Sequence, residues 1–137
     1  MLSLCLRLSP AGWLRLWLAA PMGDEIVIPK GSSSVWMSTN IAYIFRSMGI
    51  RQVVMVGALT DQCVESAVRD ACDDNFLVTL VPDACVTMSA ARQEASVSCI
   101  AGYARQRSTE ELLEELEGLV PSRWLGRADR GNALGLN

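Results

Sequence analysis

Two short apolar runs with a helical segment between them constrain the fold of this chain most. The first run covers Gln52–Ala58 (QVVMVGA) and the second covers residues 76–81 (FLVTLV). Between them, apolar residues recur at the spacing of one helix face, namely at Val64, Ala67, Val68 and Ala71. Continuous apolar runs are typical of parallel strands covered on both faces, and parallel strands need a crossover such as a helix. The pattern therefore predicts a parallel α/β sheet.

Further strands are predicted on either side of this unit. Residues 25–29 (EIVIP) form an apolar run of the strand type, and a shorter strand is predicted at 103–107. The strand at 76–81 is expected to end at Pro82-Asp83. The chain thus alternates strands with helices, as parallel α/β proteins do.

Each predicted helix begins at a residue that can cap it and shows apolar residues at helical spacing. The first has its apolar face at residues 41, 44, 45 and 48 and is expected to end at Gly49. The caps are one of Ser38, Thr39 and Asn40 for the first helix, Thr60 or Asp61 for the second, Ser89 for the third, and Ser108 with Glu111 in a capping box for the fourth.

The composition excludes several kinds of site. The 137-residue chain has no histidine, which excludes a histidine-based zinc or iron site and a Cys–His or Ser–His catalytic pair. The net charge is −3 and no basic stripe is interleaved with aromatic residues, which argues against nucleic acid as a partner. The five cysteines lack C-x-x-C spacing, as expected of reduced thiols rather than a disulfide framework. No metal or cofactor is expected.

The chain divides into three parts by composition. Residues 1–22 are rich in leucine and tryptophan and contain no acid. Pro10 and two arginines interrupt this segment, so no membrane span is predicted. The predicted location is cytoplasmic. An organelle is the alternative, because organelle presequences are also basic and free of acids. Residues 23–120 form the predicted domain, and residues 121–137 are predicted to be a loose tail.

Two reactive side chains are predicted at the carboxyl ends of strands, where the sites of open α/β folds collect. Cys63 follows the strand Gln52–Ala58 in the first turn of a helix, and Lys30 follows residues 25–29. Free N–H groups at a helix start stabilise a thiolate and can hold an oxyanion, and a nearby ammonium adds to the first effect. By position alone, such a cysteine is also often a small buried residue, and such a lysine a solvated loop residue.

Three segments resemble one enzyme superfamily. Residues 24–40 (DEIVIPKGSSSVWMSTN) resemble its strand, Pro-Lys pair and small-residue loop. Residues 56–71 (VGALTDQCVESAVRDA) resemble its nucleophile motif, Gly-x-x-Thr-x-x-Cys-Val-x-x-(Thr/Ala)-x-x-Asp-Ala, and residues 76–84 (FLVTLVPDA) resemble its next strand. The superfamily is that of the isochorismatase-like cysteine hydrolases, and the resemblance runs from residue 24 to about residue 117.

The resemblance implies a three-layer αβα, Rossmann-like parallel sheet and hydrolysis of a C–N bond in a small amide or ureide. It implies Cys63 as the attacking thiol and Lys30 as its charged partner. It further implies a cis peptide bond between Ala58 and Leu59, with the backbone N–H groups of Leu59 and Cys63 as the oxyanion hole. Since members of this family are often homo-oligomers, a homo-oligomer is expected.

The sequence departs from the family in the region before Asp24. The family's general-base Asp lies at the end of the first strand, whereas no acidic residue precedes Asp24 here. Asp61 is near Cys63 in sequence but is interpreted as a helix cap, and Asp70 and Asp83, which match family positions, are interpreted as structural. Losing a general base typically slows a reaction roughly 10²–10⁴-fold, so this form is expected to be poorly active or inactive.

The same region affects the predicted sheet. The family sheet has six parallel strands in the order 3-2-1-4-5-6, and strands 1 and 2 have no counterpart here. The domain is therefore interpreted as a truncated isochorismatase-like fold. Either residues 25–29 pair directly with Gln52–Ala58, or an open edge is left that residues 2–20 cover in part. Both alternatives predict low stability or dependence on a partner.

Two other functions are compatible with the sequence. The first is a non-catalytic family member that acts through oligomer assembly, since an apolar N-terminus would favour association. The second is a redox-responsive thiol protein, because a cysteine with thiolate character oxidises readily. No resolving cysteine is evident from the sequence.

Overall fold

The computed structural model describes residues 25–119, which form a three-stranded parallel sheet with helices on both faces. The strands lie in the order β1 (Gln52–Ala58), β2 (Leu77–Val86) and β3 (Arg105–Gln106). The helices are α1 (Val35–Ser38), α2 (Ile41–Ser47), α3 (Glu65–Asp73), α4 (Ala90–Ile100) and α5 (Thr109–Leu119), and a π-helical turn at Thr60–Val64 precedes α3. The predictions for residues 1–22 and 121–137 fall outside the described residues. In the described range, no helix is long and apolar enough to cross a membrane.

The predicted α/β architecture is confirmed by the β1–α3–β2 unit. β1 and β2 pair in parallel, with Val53 opposite Val78 and Met55 opposite Leu80. Because side chains alternate along a strand, these four share one face of the sheet. That face forms the main hydrophobic core with buried residues of the helices, among them Phe45, Val68, Ala71 and Ile100.

The opposite face of the sheet is only partly covered. Arg105 donates to the Thr79 hydroxyl on this face and also binds Glu115 of α5, with 2.8 Å between Nη2 and Oε2, so α5 lies over β2 and β3. On β1 the same face is open among residues 25–119, since Val54 is 48% exposed and Val56 is 55% exposed. The expectation that this strand is covered on both faces is therefore wrong for the described part of the chain.

Residues 25–29 do not form the predicted strand. They lie in irregular structure, with Ile26 and Val27 exposed and only Ile28 buried in the core. An apolar run becomes a strand only when a neighbouring backbone completes its hydrogen bonds. Within residues 25–119 the sole strand that pairs with β1 is β2, so the alternative in which residues 25–29 pair directly with β1 is wrong. The predicted cover of this edge by residues 2–20 falls outside the described residues.

Strand β2 continues past Pro82-Asp83, where the sequence predicted its end. The register between β1 and β2 shifts between Met55 and Gly57, and Gly57 pairs with Cys85. Residues 81–84 therefore bulge out of the ladder. A proline cannot donate to a ladder and is confined to edges and bulges, so this irregularity accommodates Pro82 without ending the strand.

Helix ends follow the local sequence closely. The Ser89 hydroxyl accepts from the N–H of Arg92 at 3.3 Å and caps α4. The predicted capping box of α5 is confirmed: Ser108 N donates to the Glu111 carboxylate at 2.8 Å, and Glu111 N donates to the Ser108 hydroxyl at 3.2 Å. Gly49 follows α2 with a φ of 71°, the left-handed conformation that favours glycine after a helix.

Asp83 adds a second cap to α5. Both of its carboxylate oxygens lie 3.0 Å from the backbone N of Thr109, and this hydrogen bond lowers the pKa of Asp83. A carboxyl whose pKa is lower in the folded state stabilises the fold above its unfolded value of about 4. That contribution is lost as the pH falls through the folded pKa.

We expect Asp83→Asn to lower the melting temperature by a few degrees at neutral pH. Because the lost interaction belongs to the charged carboxylate, the difference from wild type should shrink as the pH falls below the unfolded value of about 4 and through the folded pKa of Asp83. Thermal unfolding followed by circular dichroism across this pH range measures it. Asp73→Asn, at an exposed aspartate at the end of α3, is the matched control. A difference that stays constant with pH would contradict the assignment.

Candidate active site

Cys63 lies in the π-helical turn Thr60–Val64, directly beyond the carboxyl end of β1. The peptide bond between Ala58 and Leu59 is cis, at the position that the family resemblance implies. The turn closes with a hydrogen bond of 3.2 Å from the N–H of Val64 to the carbonyl of Leu59 and runs straight into α3. Cys63 therefore occupies the first turn of a helical segment, as the sequence pattern predicts.

The Cys63 thiol differs from the other three described cysteines in its surroundings. Cys63 is half-buried, and within residues 25–119 no hydrogen bond reaches its sulfur. In contrast, Cys72 Sγ lies 3.1 Å from the carbonyl of Tyr103, and burial raises the pKa of Cys85. Cys99 is exposed on α4. Only Cys63 of these four combines access with a position at the start of a helix.

The start of the turn leaves backbone donors available. Leu59 is its N-cap and makes no side-chain capping bond. The N–H of Leu59 donates no hydrogen bond to another described residue. The first N–H groups of a helix lack partners within it, and free donors beside a nucleophile are what binding of an oxyanion requires.

Neither Thr60 nor Asp61 caps the turn, so the predicted side-chain cap is wrong. The turn begins at Leu59, which places both residues inside its first turn rather than before it. The Thr60 hydroxyl is buried without a hydrogen-bond partner in the described structure. Asp61 instead accepts from the Thr87 hydroxyl and forms an ion pair with Arg92.

These contacts give both oxygens of the Asp61 carboxylate a partner. The hydrogen bond from Thr87 is the main cause that lowers its pKa, and Arg92 acts in the same direction against partial desolvation. Asp61 is therefore charged and occupied rather than free to act as a base. Among the described side chains, no group of three or more cysteines and acids could hold a metal ion.

The ammonium of Lys30 binds the loop that follows it. Its Nζ donates to the carbonyls of Ser32 at 2.8 Å and Ser33 at 2.9 Å. No hydrogen bond joins Lys30 to Cys63. The partnership of these two side chains therefore stays a prediction.

An open cleft of about 390 Å³ lies between the Lys30 loop and α3. Ser66 and Asp70 lie three and seven residues after Cys63, which puts them near the same face of the helical segment. The cleft thus connects the loop that holds Lys30 with the helix that follows Cys63. Its lining consists of Ser32, Ser33, Ser34, Met37, Ser66, Arg69 and Asp70.

Arg69 supplies a fixed positive charge to the wall of this cleft. Its Nε and Nη2 lie 3.2 and 2.8 Å from Glu65 Oε1, and its guanidinium carbon lies 4.4 Å from the centroid of the Tyr103 ring. Sequence reasoning did not single out Arg69. The i,i+4 spacing of Glu65 and Arg69 on a predicted helix was the available signal.

Comparison with known proteins gives a consistent match. The family model described as the Isochorismatase domain matches residues 9–111. The ureidoacrylate amidohydrolase of Agrobacterium fabrum is 38% identical over 64 residues, which are 47% of this chain and 28% of that enzyme. The ureidoacrylate amidohydrolase of Variovorax paradoxus is 34% identical over 93 residues, which are 66% of this chain and 37% of that enzyme. The chain therefore spans well under half the length of these curated relatives.

Solved structures share the fold. A cysteine hydrolase from Pseudomonas syringae matches with a TM-score of 0.73 and 23% identity, over 77% of this chain and 55% of that one. An isochorismatase-like hydrolase from Alkaliphilus metalliredigens matches with a TM-score of 0.69 and 21% identity, over 71% of this chain and 53% of that one. At these identities the likeness shows the fold, of which the chain spans about half.

Proposed function

Since the chain belongs to the isochorismatase family of hydrolases, we propose that it cleaves a C–N bond of a small amide or ureide with Cys63 as the nucleophile. The observation that carries the proposal is the state of Cys63, a partly exposed and unbonded thiol in a helical turn beyond the end of β1. The choice of substrate class draws on the ureidoacrylate amidohydrolases among its relatives.

The proposed reaction has two steps. The sulfur of Cys63 attacks the carbonyl carbon, and the N–H groups of Leu59 and Cys63 bind the oxygen that becomes negative. The C–N bond breaks, and the nitrogen leaves with the proton that the thiol gave up. Water then cleaves the thioester formed from an amide, or the thiocarbamate formed from a ureide, and frees the thiol. Lys30, on the loop beside the cleft, would steady the thiolate once its ammonium leaves the carbonyls of Ser32 and Ser33.

We expect this reaction to be slow. Asp61 and Glu65, each two residues from Cys63, are both held by other side chains, Asp61 by Thr87 and Arg92 and Glu65 by Arg69 and Ser96, so neither is free to serve as the general base. Without such a base the rate should lie roughly 10²–10⁴-fold below that of an enzyme that has one.

The proposal is tested with the purified full chain and a panel of small amides and ureides that includes ureidoacrylate. Ammonia release measures turnover, and mass spectrometry of the intact protein detects an adduct on Cys63. We expect slow ammonia release and a transient adduct. If no panel member gives ammonia or an adduct, at enzyme concentrations comparable to that of the substrate, the result counts against hydrolase function.

A second candidate function is assembly with other copies of the chain. The observation that favours it is the apolar face of the sheet that residues 25–119 leave open, where Val54, Val56 and Leu77 are each about half exposed or more. Helix α5 likewise buries none of its residues. Exposed apolar patches of this kind mark sites of association.

We expect Val56→Lys to shift the chain toward the monomer in light scattering, because a charge on the open face opposes apolar contact. Met88→Lys, at an exposed methionine outside this face, should leave the number of chains per particle unchanged. A wild-type chain that is monomeric at high concentration would contradict assembly.

A further inference from the structure

We propose that Asp61 is a positioning residue for Cys63 and that, through Thr87 and Arg92, it clamps the turn Thr60–Val64 to the connection after β2 and to the first turn of α4. The inference rests on the proposed role of Cys63 as nucleophile. We call the three side chains of Asp61, Thr87 and Arg92 the clamp.

Both oxygens of Asp61 take part in the clamp. The Thr87 hydroxyl donates to Oδ1, and Arg92 Nη2 pairs with Oδ2. The Asp61 side chain is 13% exposed, whereas that of Arg92 is 48% exposed. The carboxylate therefore lies inside, with the guanidinium closing over it from the surface. An ion pair with one partly buried partner is screened less than a pair on the open surface.

Helix α4 also contacts this turn and the start of α3 through a second residue, Ser96. Ser96 lies one helical turn after Arg92, and its hydroxyl donates to Glu65 Oε2 at 2.7 Å and lies 3.3 Å from the carbonyl of Thr60. The contacts of α4 therefore fall on residues 60, 61 and 65, on both sides of Cys63 along the chain. The Cys63 thiol itself makes no hydrogen bond in the described structure, so the neighbouring residues fix its position.

Within the described structure, no other side chain belonging to the first residues of the turn anchors it, and the Ser96 hydroxyl reaches only the backbone carbonyl of Thr60 there. Leu59 offers no capping side chain, and the Thr60 hydroxyl is unpartnered in the described structure. Asp61 is thus the side chain that ties the first residues of the turn to the rest of the fold. A displacement of about 1 Å at a reacting atom can cost up to about 10²-fold in rate, so such an anchor matters for a nucleophile.

The clamp also balances charge beside the nucleophile. The Asp61 carboxylate lies two residues from Cys63 and, if uncompensated, would oppose formation of a thiolate. Arg92 neutralises it. We expect loss of Arg92 to act in two ways in the same direction: the turn loosens, and an unpaired negative charge remains two residues from Cys63 in sequence.

Alkylation of Cys63 by iodoacetamide tests the clamp without requiring turnover. The full chain is alkylated between about pH 6 and pH 10, and mass spectrometry of the Cys63 peptide gives the rate at each pH. The variants are Arg92→Gln, Arg92→Lys, Asp61→Asn, Thr87→Val and the Asp61→Asn/Arg92→Gln double variant. Arg46→Gln is the matched control, since it removes another Arg–Asp ion pair, with Asp74, at the opposite end of the sheet.

We expect Arg92→Gln to slow alkylation at neutral pH about fivefold and to move the pH profile upward. Arg92→Lys should restore the profile because it restores the charge. The double variant should also restore the profile, because the uncompensated carboxylate is gone, but it should stay slow because the anchor is lost. Arg46→Gln should match wild type. If the role of Arg92 were purely structural, adding Asp61→Asn to Arg92→Gln would not return the pH profile to that of wild type.

Two results would overturn the clamp: rates for Arg92→Gln and Asp61→Asn within about twofold of wild type at every pH, or an equal loss in Arg46→Gln. Circular dichroism checks folding, and if Arg92→Gln unfolds, Asp61→Asn and Thr87→Val, each of which disrupts the clamp, take its place in the comparison with wild type. Failure of the hydrolase proposal is distinguishable. A chain that hydrolyses nothing but shows the clamp effects contradicts only the function, and turnover insensitive to Arg92→Gln contradicts only the clamp.

Discussion

Replacing Cys63 by serine is expected to bring any hydrolysis of an amide or ureide by this chain down to the uncatalysed rate. Loss of a nucleophile in a covalent mechanism typically costs on the order of 10³-fold or more. A serine hydroxyl is ionised far less readily than a thiol, and the chain has no histidine to activate it. Because the wild-type rate is itself expected to be low, the measurement needs high enzyme concentration and a long incubation.

The matched control for this variant is Cys99→Ser. Cys99 is a free and exposed cysteine on α4, so its replacement changes a thiol to a hydroxyl without touching the turn Thr60–Val64. Ammonia release should be unchanged in Cys99→Ser and absent in Cys63→Ser. Turnover that survives in Cys63→Ser would show that another group carries the reaction.

The largest expected effect on stability is that of Leu80→Ala. Leu80 is fully buried in the middle of β2, opposite Met55 of β1. Truncating a buried leucine removes apolar burial and leaves a cavity, which typically lowers the free energy of unfolding by about 2–5 kcal/mol. Domains of ordinary stability have only about 5–15 kcal/mol in total, so this variant should unfold at much lower urea concentration.

Leu77→Ala is the control for that prediction. Leu77 lies on the same strand but is 67% exposed, so its truncation removes little buried surface. Urea unfolding followed by circular dichroism should show a shift of the midpoint for Leu80→Ala and almost none for Leu77→Ala. Equal shifts would mean that the core does not depend on the β1–β2 face.

Features set by neighbours in sequence were predictable from the sequence. Strand β1 has the predicted bounds, Gln52–Ala58. The capping box of Ser108 and Glu111 forms at the start of α5, as its four-residue motif indicates. The placement of Cys63 in a helical turn after β1 also follows from a local pattern, a strand followed by a helix start. Such signals need no knowledge of distant residues.

Features that depend on distant parts of the chain were not predictable. Residues 25–29 have the composition of a strand, but a strand exists only where another backbone lies beside it. The partners of Asp61 are Thr87 and Arg92, which belong to the connection after β2 and to α4. Nothing near Asp61 in sequence distinguishes a helix cap from a carboxylate held by another element. The direction of the Lys30 ammonium, toward the carbonyls of its own loop, is likewise a three-dimensional property.

The position of β1 at the margin of the sheet has a consequence for the chain in concentrated solution. Its segment Gln52–Ala58 carries no charge and no proline, and within residues 25–119 its outer backbone groups face no other strand. Segments of this kind serve as templates on which identical segments stack into fibrils, and proteins usually guard them with a lysine or a proline. The strand that precedes the proposed nucleophile is therefore also the one from which cross-β growth would start.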